Sequence, residues 1–97
     1  MRLRFTPRAV ADLISIADYI RERNPQAALS VRAAILESLR LLLQFPKLGR
    51  EQSVEGVRKL VTRRYGYLAY YTLDEQAEEV VILAVQHPSR DRPFANA

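Results

Sequence analysis

The chain has no cysteine and only one histidine among its 97 residues. The first absence excludes disulfides, thiolate metal sites and cysteine nucleophiles. The second excludes a zinc site assembled from several histidines of one chain. No metal and no cofactor is expected. No apolar run approaches bilayer length, and the opening "MRLRFTPRAV" lacks the apolar stretch of a signal peptide, so a cytoplasmic protein with no membrane partner is expected. At 48% apolar and 27% charged residues, the composition fits an ordinary globular domain. The length suits a single domain, residues 1–97, with a modest core.

What is abundant is arginine. Fifteen Lys and Arg stand against eleven Asp and Glu, giving a net charge of +4, and every basic residue except Lys47 and Lys59 is arginine. The basic residues crowd the first two thirds of the chain, whereas acids outnumber bases beyond residue 67. The segment "VRKLVTRRYGY" carries Arg58, Lys59, Arg63 and Arg64 without a single acid. Forked guanidinium groups suit carboxylates and phosphates. Such a segment is either a solvated basic face or the docking surface for a polyanion, whether nucleic acid or an acidic protein segment.

The order of elements follows from hydrophobic period. In "RLRF", Leu3 and Phe5 alternate with Arg2 and Arg4, as in a half-buried strand. Thr6-Pro7 reads as an N-cap followed by proline at the first helical position. Val10, Leu13, Ile14, Ala17 and Ile20 then recur at helical spacing and are expected to form the buried face of helix 1. Asn24-Pro25 repeats the start signal, so a second helix begins where the first ends, folding back as a hairpin. Helix 2, expected over residues 26–44, carries one stripe of Ala28, Val31, Ile35, Leu39 and Leu42 and a neighbouring one of Leu29, Leu36 and Leu43. Phe45-Pro46 and Gly49 stop it. After the polar loop "KLGREQSVEG", the runs "VRKLVT", "YLAYYTL" and "EVVILAVQ" are β-branched and aromatic, with short turns between them. The expected fold is α+β: an N-terminal strand, an antiparallel helix hairpin, then a three-stranded antiparallel meander, with both helices on one face of the sheet. The strands are expected near residues 2–5, 57–64, 67–73 and 80–86.

A helix pair with net positive charge raises the question of a DNA-reading motif. A recognition helix must aim polar side chains at base edges, and "AALSVRAAILESLRLLLQF" is mostly aliphatic. No direct DNA binding is expected; contact with DNA would run through a partner.

The motifs "AVADLISIADYI", "FPKLGRE", "VRKLV", "YLAYYTLD" and "VVILAVQHPSRD", in this order and over nearly the whole chain, resemble the RelE/ParE toxin superfamily of type II toxin–antitoxin systems. The ending, a strand leading into His87, Arg90 and Asp91, is similar to the ParE branch. The resemblance implies two alternative activities. RelE-type toxins cleave mRNA on the ribosome without metal; ParE-type toxins bind DNA gyrase and stall it.

Cleavage by 2′-hydroxyl attack needs a base, cations for the phosphate and an acid for the leaving oxygen. The superfamily's nucleases place a cation before a Leu-Val-Tyr-like run, and here Tyr67 precedes "LAY". They also use a tyrosine after the C-terminal arginine, where this chain has Phe94. No catalytic residue is therefore assigned; in a RelE-like reading the set would be His87, Arg90, Arg58 and Arg63, with Arg64 adding charge. The ParE-like reading implies gyrase as target, met by His87, Arg90, Arg92 and Phe94. It also implies a cognate antitoxin with an acidic amphipathic segment, held by Leu29, Leu36, Leu43, Arg58, Arg63 and Arg64, with Leu13 or Ile20 adjoining.

Overall fold

A computed structural model describes residues 1–90. Strand β1 (Arg2–Phe5) leads into helices α1 (Pro7–Arg23) and α2 (Pro25–Leu41), followed by β2 (Arg50–Glu51), β3 (Arg58–Val61), β4 (Leu68–Asp74) and β5 (Glu79–Gln86), and a short 3-10 turn at Pro88–Arg90. The sheet order is β1-β5-β4-β3-β2. It is mixed: β3, β4 and β5 form the expected antiparallel meander, while β1 pairs in parallel with β5. A parallel pair needs a long crossover, and the helix hairpin between β1 and the meander supplies it.

Caps set both helices. The Thr6 hydroxyl accepts from the Ala9 N–H at 3.1 Å, with Pro7 at the first helical position. Asn24 serves both helices at once. Its backbone N–H donates to Ile20 O at 2.7 Å, closing α1, and its side-chain oxygen accepts from the Ala27 N–H at 3.1 Å, opening α2. Each such cap contributes about 1 kcal/mol.

The helices lie on one face of the sheet. There Ile35 and Leu39 of α2 and Leu42 at its C-cap meet Ala69, Tyr71, Val80, Ile82 and Val85. The stripe Ala28, Val31, Ile35, Leu39 and Leu42 is buried along its whole length, as expected. The expected face of α1 needs correction. Its inner face is Ala9, Leu13, Ile16 and Ile20, spaced 4, 3 and 4, whereas Val10 is 44% and Ile14 56% exposed. Both sets have helical spacing, and only the tilt of α1 over β5 chooses between them. A smaller apolar cluster of Val57, Leu68, Tyr70 and Ala84 forms apart from the helices, Tyr70 and Tyr71 pointing in opposite senses from adjacent positions.

Strand β5 outruns four-residue β1, and α1 satisfies the backbone groups that β1 does not reach. The Thr6 hydroxyl donates to Leu83 O at 2.9 Å, and the Asp12 carboxylate accepts from the Val85 N–H at 2.9 Å. A β-bulge between Tyr70 and Tyr71 shifts the β4–β5 register in this same region.

Three expected boundaries move. The loop after α2 contains the two-residue β2, which pairs Arg50 with Lys59 and Glu51 with Arg58. Helix α2 stops at Leu41 rather than residue 44. Strand β3 stops at Val61 rather than residue 64, because the chain turns: Arg64 has φ 74° and Gly66 φ 71°.

Candidate functional site

Three regions hold the residues that the sequence singled out. The first is the lock between α2 and the sheet. The buried Tyr71 hydroxyl donates to Pro46 O at 2.7 Å and accepts from the Gly49 N–H at 2.8 Å. The Arg58 guanidinium donates to Gly49 O at 2.8 Å and Lys47 O at 3.2 Å and meets the Glu51 carboxylate at 3.3 Å. Gly49 is required by close approach: a Cβ there would fall 2.6 Å from Tyr71 Cε1 and 2.9 Å from Lys59 O. Burial pushes the Tyr71 phenol above its ordinary value, with the Gly49 N–H and the Arg58 charge acting in the opposite direction. Arg58 is thus committed to carbonyls of its own chain.

The second region is the end of the sheet at the β3–β4 turn. His87 follows β5 and packs edge-on against Tyr67, ring centroids 5.5 Å apart and planes at 88°. Its Nδ1 accepts from the Ser89 N–H at 3.1 Å and lies 2.8 Å from Ser89 Oγ. An accepting Nδ1 leaves the proton of the neutral ring on Nε2, so the exposed histidine offers a donor rather than a base on that edge. Tyr67 is buried, and burial pushes its phenol up, the nearby Tyr19 phenol adding to the rise. Arg63 and Arg64 are exposed at the turn. Arg90 lies in the 3-10 turn after His87; Asp91, Arg92 and Phe94 lie outside the described residues.

The third region was not foreseen. A groove of about 500 Å³ runs between α1 and α2, lined by Phe5, Val10, Ile14, Ala28, Arg32 and Leu36 among others. Of the second leucine stripe, Leu36 lines this groove and also packs on the core, while Leu29 is 63% exposed and Leu43 partly exposed. The signal for the groove was present in α1. Its apolar residues cover both the 9-13-16-20 face and the 10-14-17 face, more than one buried side needs. Among the described residues no group of acids and histidine is placed to hold a metal ion, and no helix is long and apolar enough to cross a membrane.

The family described as ParE toxin of type II toxin-antitoxin system, parDE, matches residues 3–92. The chain belongs to the ParE toxin family. In solved structures this ParE-family toxin is similar to a chromosomal ParDE toxin–antitoxin system from P. aeruginosa, with 30% identity, a TM-score of 0.76, and 90% of this chain and 95% of that one covered. The RelBE2 toxin–antitoxin complex from Mycobacterium tuberculosis is 28% identical with a TM-score of 0.61, over 89% of this chain and 95% of that one. The isolated E. coli RelE toxin, at 18% identity and a TM-score of 0.63 over 97% of this chain and 88% of that one, shares the fold. Among curated proteins the candidate toxin Y4kP of Sinorhizobium fredii is 33% identical over 92 residues, 95% of this chain and 93% of the relative. The resemblance to the superfamily and the α+β fold are borne out.

Proposed function

We propose that this toxin inhibits growth by binding DNA gyrase in the cytoplasm without hydrolysing nucleic acid, and that a cognate antitoxin neutralises it. The observation that carries the first half is where the would-be nuclease groups are spent. Arg58 is tied to the carbonyls of Lys47 and Gly49, Tyr67 is buried against His87, and His87 Nδ1 is occupied by Ser89. A surface that keeps a donor and guanidinium groups but diverts its base suits binding better than proton transfer. Target contact is assigned to His87 and Arg90, with Arg92 and Phe94 beyond the described residues.

The antitoxin is assigned to the α1–α2 groove, where an amphipathic helix would cover Val10, Ile14 and Leu36 and place a carboxylate near Arg32. Leu29 on α2 and Leu43 just past its end add exposed apolar surface to the antitoxin assignment; Arg58, committed to its own chain, is dropped from the antitoxin set. The type II family and the ParDE and RelBE2 systems among its structural relatives support a protein antitoxin.

A supercoiling assay with purified gyrase and no ribosomes tests the target, run beside a programmed-ribosome cleavage assay with wild type, His87→Ala and Arg90→Ala. Loss of supercoiling with intact mRNA supports the reading. Codon-dependent cleavage that vanishes in His87→Ala, with gyrase unaffected, reverses it. For the antitoxin, Ile14→Glu is expected to weaken the complex at least tenfold, since a charge in an apolar interface loses burial and gains desolvation cost of more than about 1.4 kcal/mol. Unchanged affinity would move the antitoxin elsewhere.

A further inference from the structure

From Arg58 to Leu73, and again from Val80 to Arg90, the sequence contains no carboxylate. The fold brings the middle of the first stretch and the end of the second to one end of the sheet. There the β3–β4 turn holds Arg63, Arg64 and Tyr65 exposed, beside His87. Among the described residues neither guanidinium has an ion-pair partner, although Glu37 lies next to Ser38 on α2; the Tyr65 ring lies 5.8 Å from the Arg64 guanidinium carbon. We infer that this basic end of the sheet docks on the phosphate backbone of duplex DNA, with Arg63 and Arg64 as the contacting cations.

The turn is built to present these side chains. The Tyr65 N–H donates to Arg63 O at 2.9 Å across Arg64 at φ 74°, a three-residue γ-turn in its positive-φ form. A side chain other than glycine in that conformation costs roughly 1–2 kcal/mol. The surroundings hold it there. The Arg63 N–H donates to the buried Ser38 hydroxyl at 2.9 Å, Gly66 N–H to Thr62 O at 3.2 Å, and Thr62 N–H to Tyr67 O at 2.7 Å. Two adjacent arginines on an anchored tip are exposed and, among the described residues, form no ion pair, which suits a partner that brings its own negative charge. His87, exposed beside the turn, adds a ring N–H that can donate to a phosphate oxygen.

Duplex DNA is favoured over the other polyanions. Single strands are held by aromatic platforms, and here the exposed tyrosine rings already carry arginines: Tyr65, at 39%, faces Arg64, and Tyr19, at 61%, lies under Arg23 at 3.9 Å. An acidic helix needs an apolar seam beside the charge, and the α1–α2 groove offers that instead. The aliphatic α2 excludes base reading but not backbone contact, so binding should ignore sequence. This goes beyond the expectation of indirect DNA contact alone. The acidic β4–β5 turn, with Asp74, Glu75, Glu78 and Glu79 at the sheet's other end, would orient the molecule with Arg63 and Arg64 toward the phosphates.

Fluorescence anisotropy with short labelled duplexes of two unrelated sequences tests this on the full chain. Both duplexes should bind equally, with a log–log salt slope of about −2 for two neutralised phosphates, or roughly tenfold weaker binding at about 200 than at about 50 mM salt. Arg63→Ala and Arg64→Gly should each reduce the slope by about 1, while Arg2→Ala, distant and paired with Glu79, should not. Thermal melts of each variant separate loss of contact from loss of fold. No binding at the lower salt, variants with the wild-type slope, tighter binding to single-stranded RNA, or displacement by a glutamate-rich peptide at matched charge would each overturn the assignment. None of these outcomes depends on gyrase or antitoxin.

Discussion

The two hairpin turns of the meander, residues 62–67 and 74–79, use similar backbone devices for opposite ends. Each carries a non-glycine residue with positive φ, Arg64 at 74° and Glu78 at 56°. The basic turn is tied into the body of the protein, by Ser38 at Arg63 and by Tyr67 against His87. The acidic turn relies more on itself: Asp74 Oδ1 accepts from the Ala77 N–H at 3.0 Å, and outside the turn Glu79 meets Arg2 and Arg4 at the surface. Surface ion pairs of that kind contribute about 0–1 kcal/mol. The contrast implies that one end of the sheet is anchored by buried contacts with the helix layer, and the other by local bonds and surface contacts with β1, the Arg2 N–H donating to Glu78 O at 2.9 Å among them.

The largest test sets the anchors against each other. Tyr67→Ala should cost about 3–5 kcal/mol in denaturant unfolding, since a buried ring is removed and His87 loses its packing partner. Asp74→Ala removes only a local side-chain bond and should cost about 0.5–1 kcal/mol. Similar losses in the two variants would erase the distinction. Next comes Ser38→Ala, which leaves the Arg63 N–H without its acceptor and should cost about 1–3 kcal/mol, with faster amide exchange at residues 62–66 as the specific readout. Faster exchange at residues 74–79 instead would break the comparison.

A smaller effect appears with pH. The Tyr67 and Tyr71 phenols both have pKa values raised by burial above the ordinary 10.0. In the window between the unfolded and folded values the unfolded chain has lost protons that the folded one keeps. Their stabilisation is therefore complete below pH about 10 and falls as pH rises through the folded values. Tyr67→Phe and Tyr71→Phe should each flatten the alkaline part of a stability profile; an unchanged profile would show that neither phenol is held neutral. Smallest of all, Arg64→Gly and Glu78→Gly each relieve a positive φ but add unfolded-state entropy, so each should change stability by less than about 1 kcal/mol. A large loss in Arg64→Gly would mean that its side chain, rather than Ser38, holds the turn.

Much of this was legible in the chain. The Thr6-Pro7 and Asn24-Pro25 caps, the Ala28-to-Leu42 stripe and the change of period near residue 57 are local signals, and the structure follows each of them. Leu29, Leu36 and Leu43 were visible as a surplus, though their spacing could not say that Leu36 would turn into a groove while Leu29 stayed exposed. Arg58 looked like a free cation alongside Arg63 and Arg64, because sequence cannot distinguish a guanidinium facing water from one facing its own carbonyls.

The sequence by itself determined where both helices, β1 and the meander strands begin, that three strands form an antiparallel meander, and that basic and acidic residues occupy different parts of the chain. Those properties depend on capping, hydrophobic period and turn length, all of which act over a few residues. Only the tertiary structure decided that β1 lies parallel to β5, that α1 buries Ala9, Leu13, Ile16 and Ile20 while leaving Val10 and Ile14 over a groove, and that Arg58 locks a loop while Arg63 and Arg64 stand clear. Each of these turns on contacts between residues far apart in the chain, where the packing of α1 and α2 on the sheet and the demand that buried backbone groups find partners select among locally equivalent alternatives.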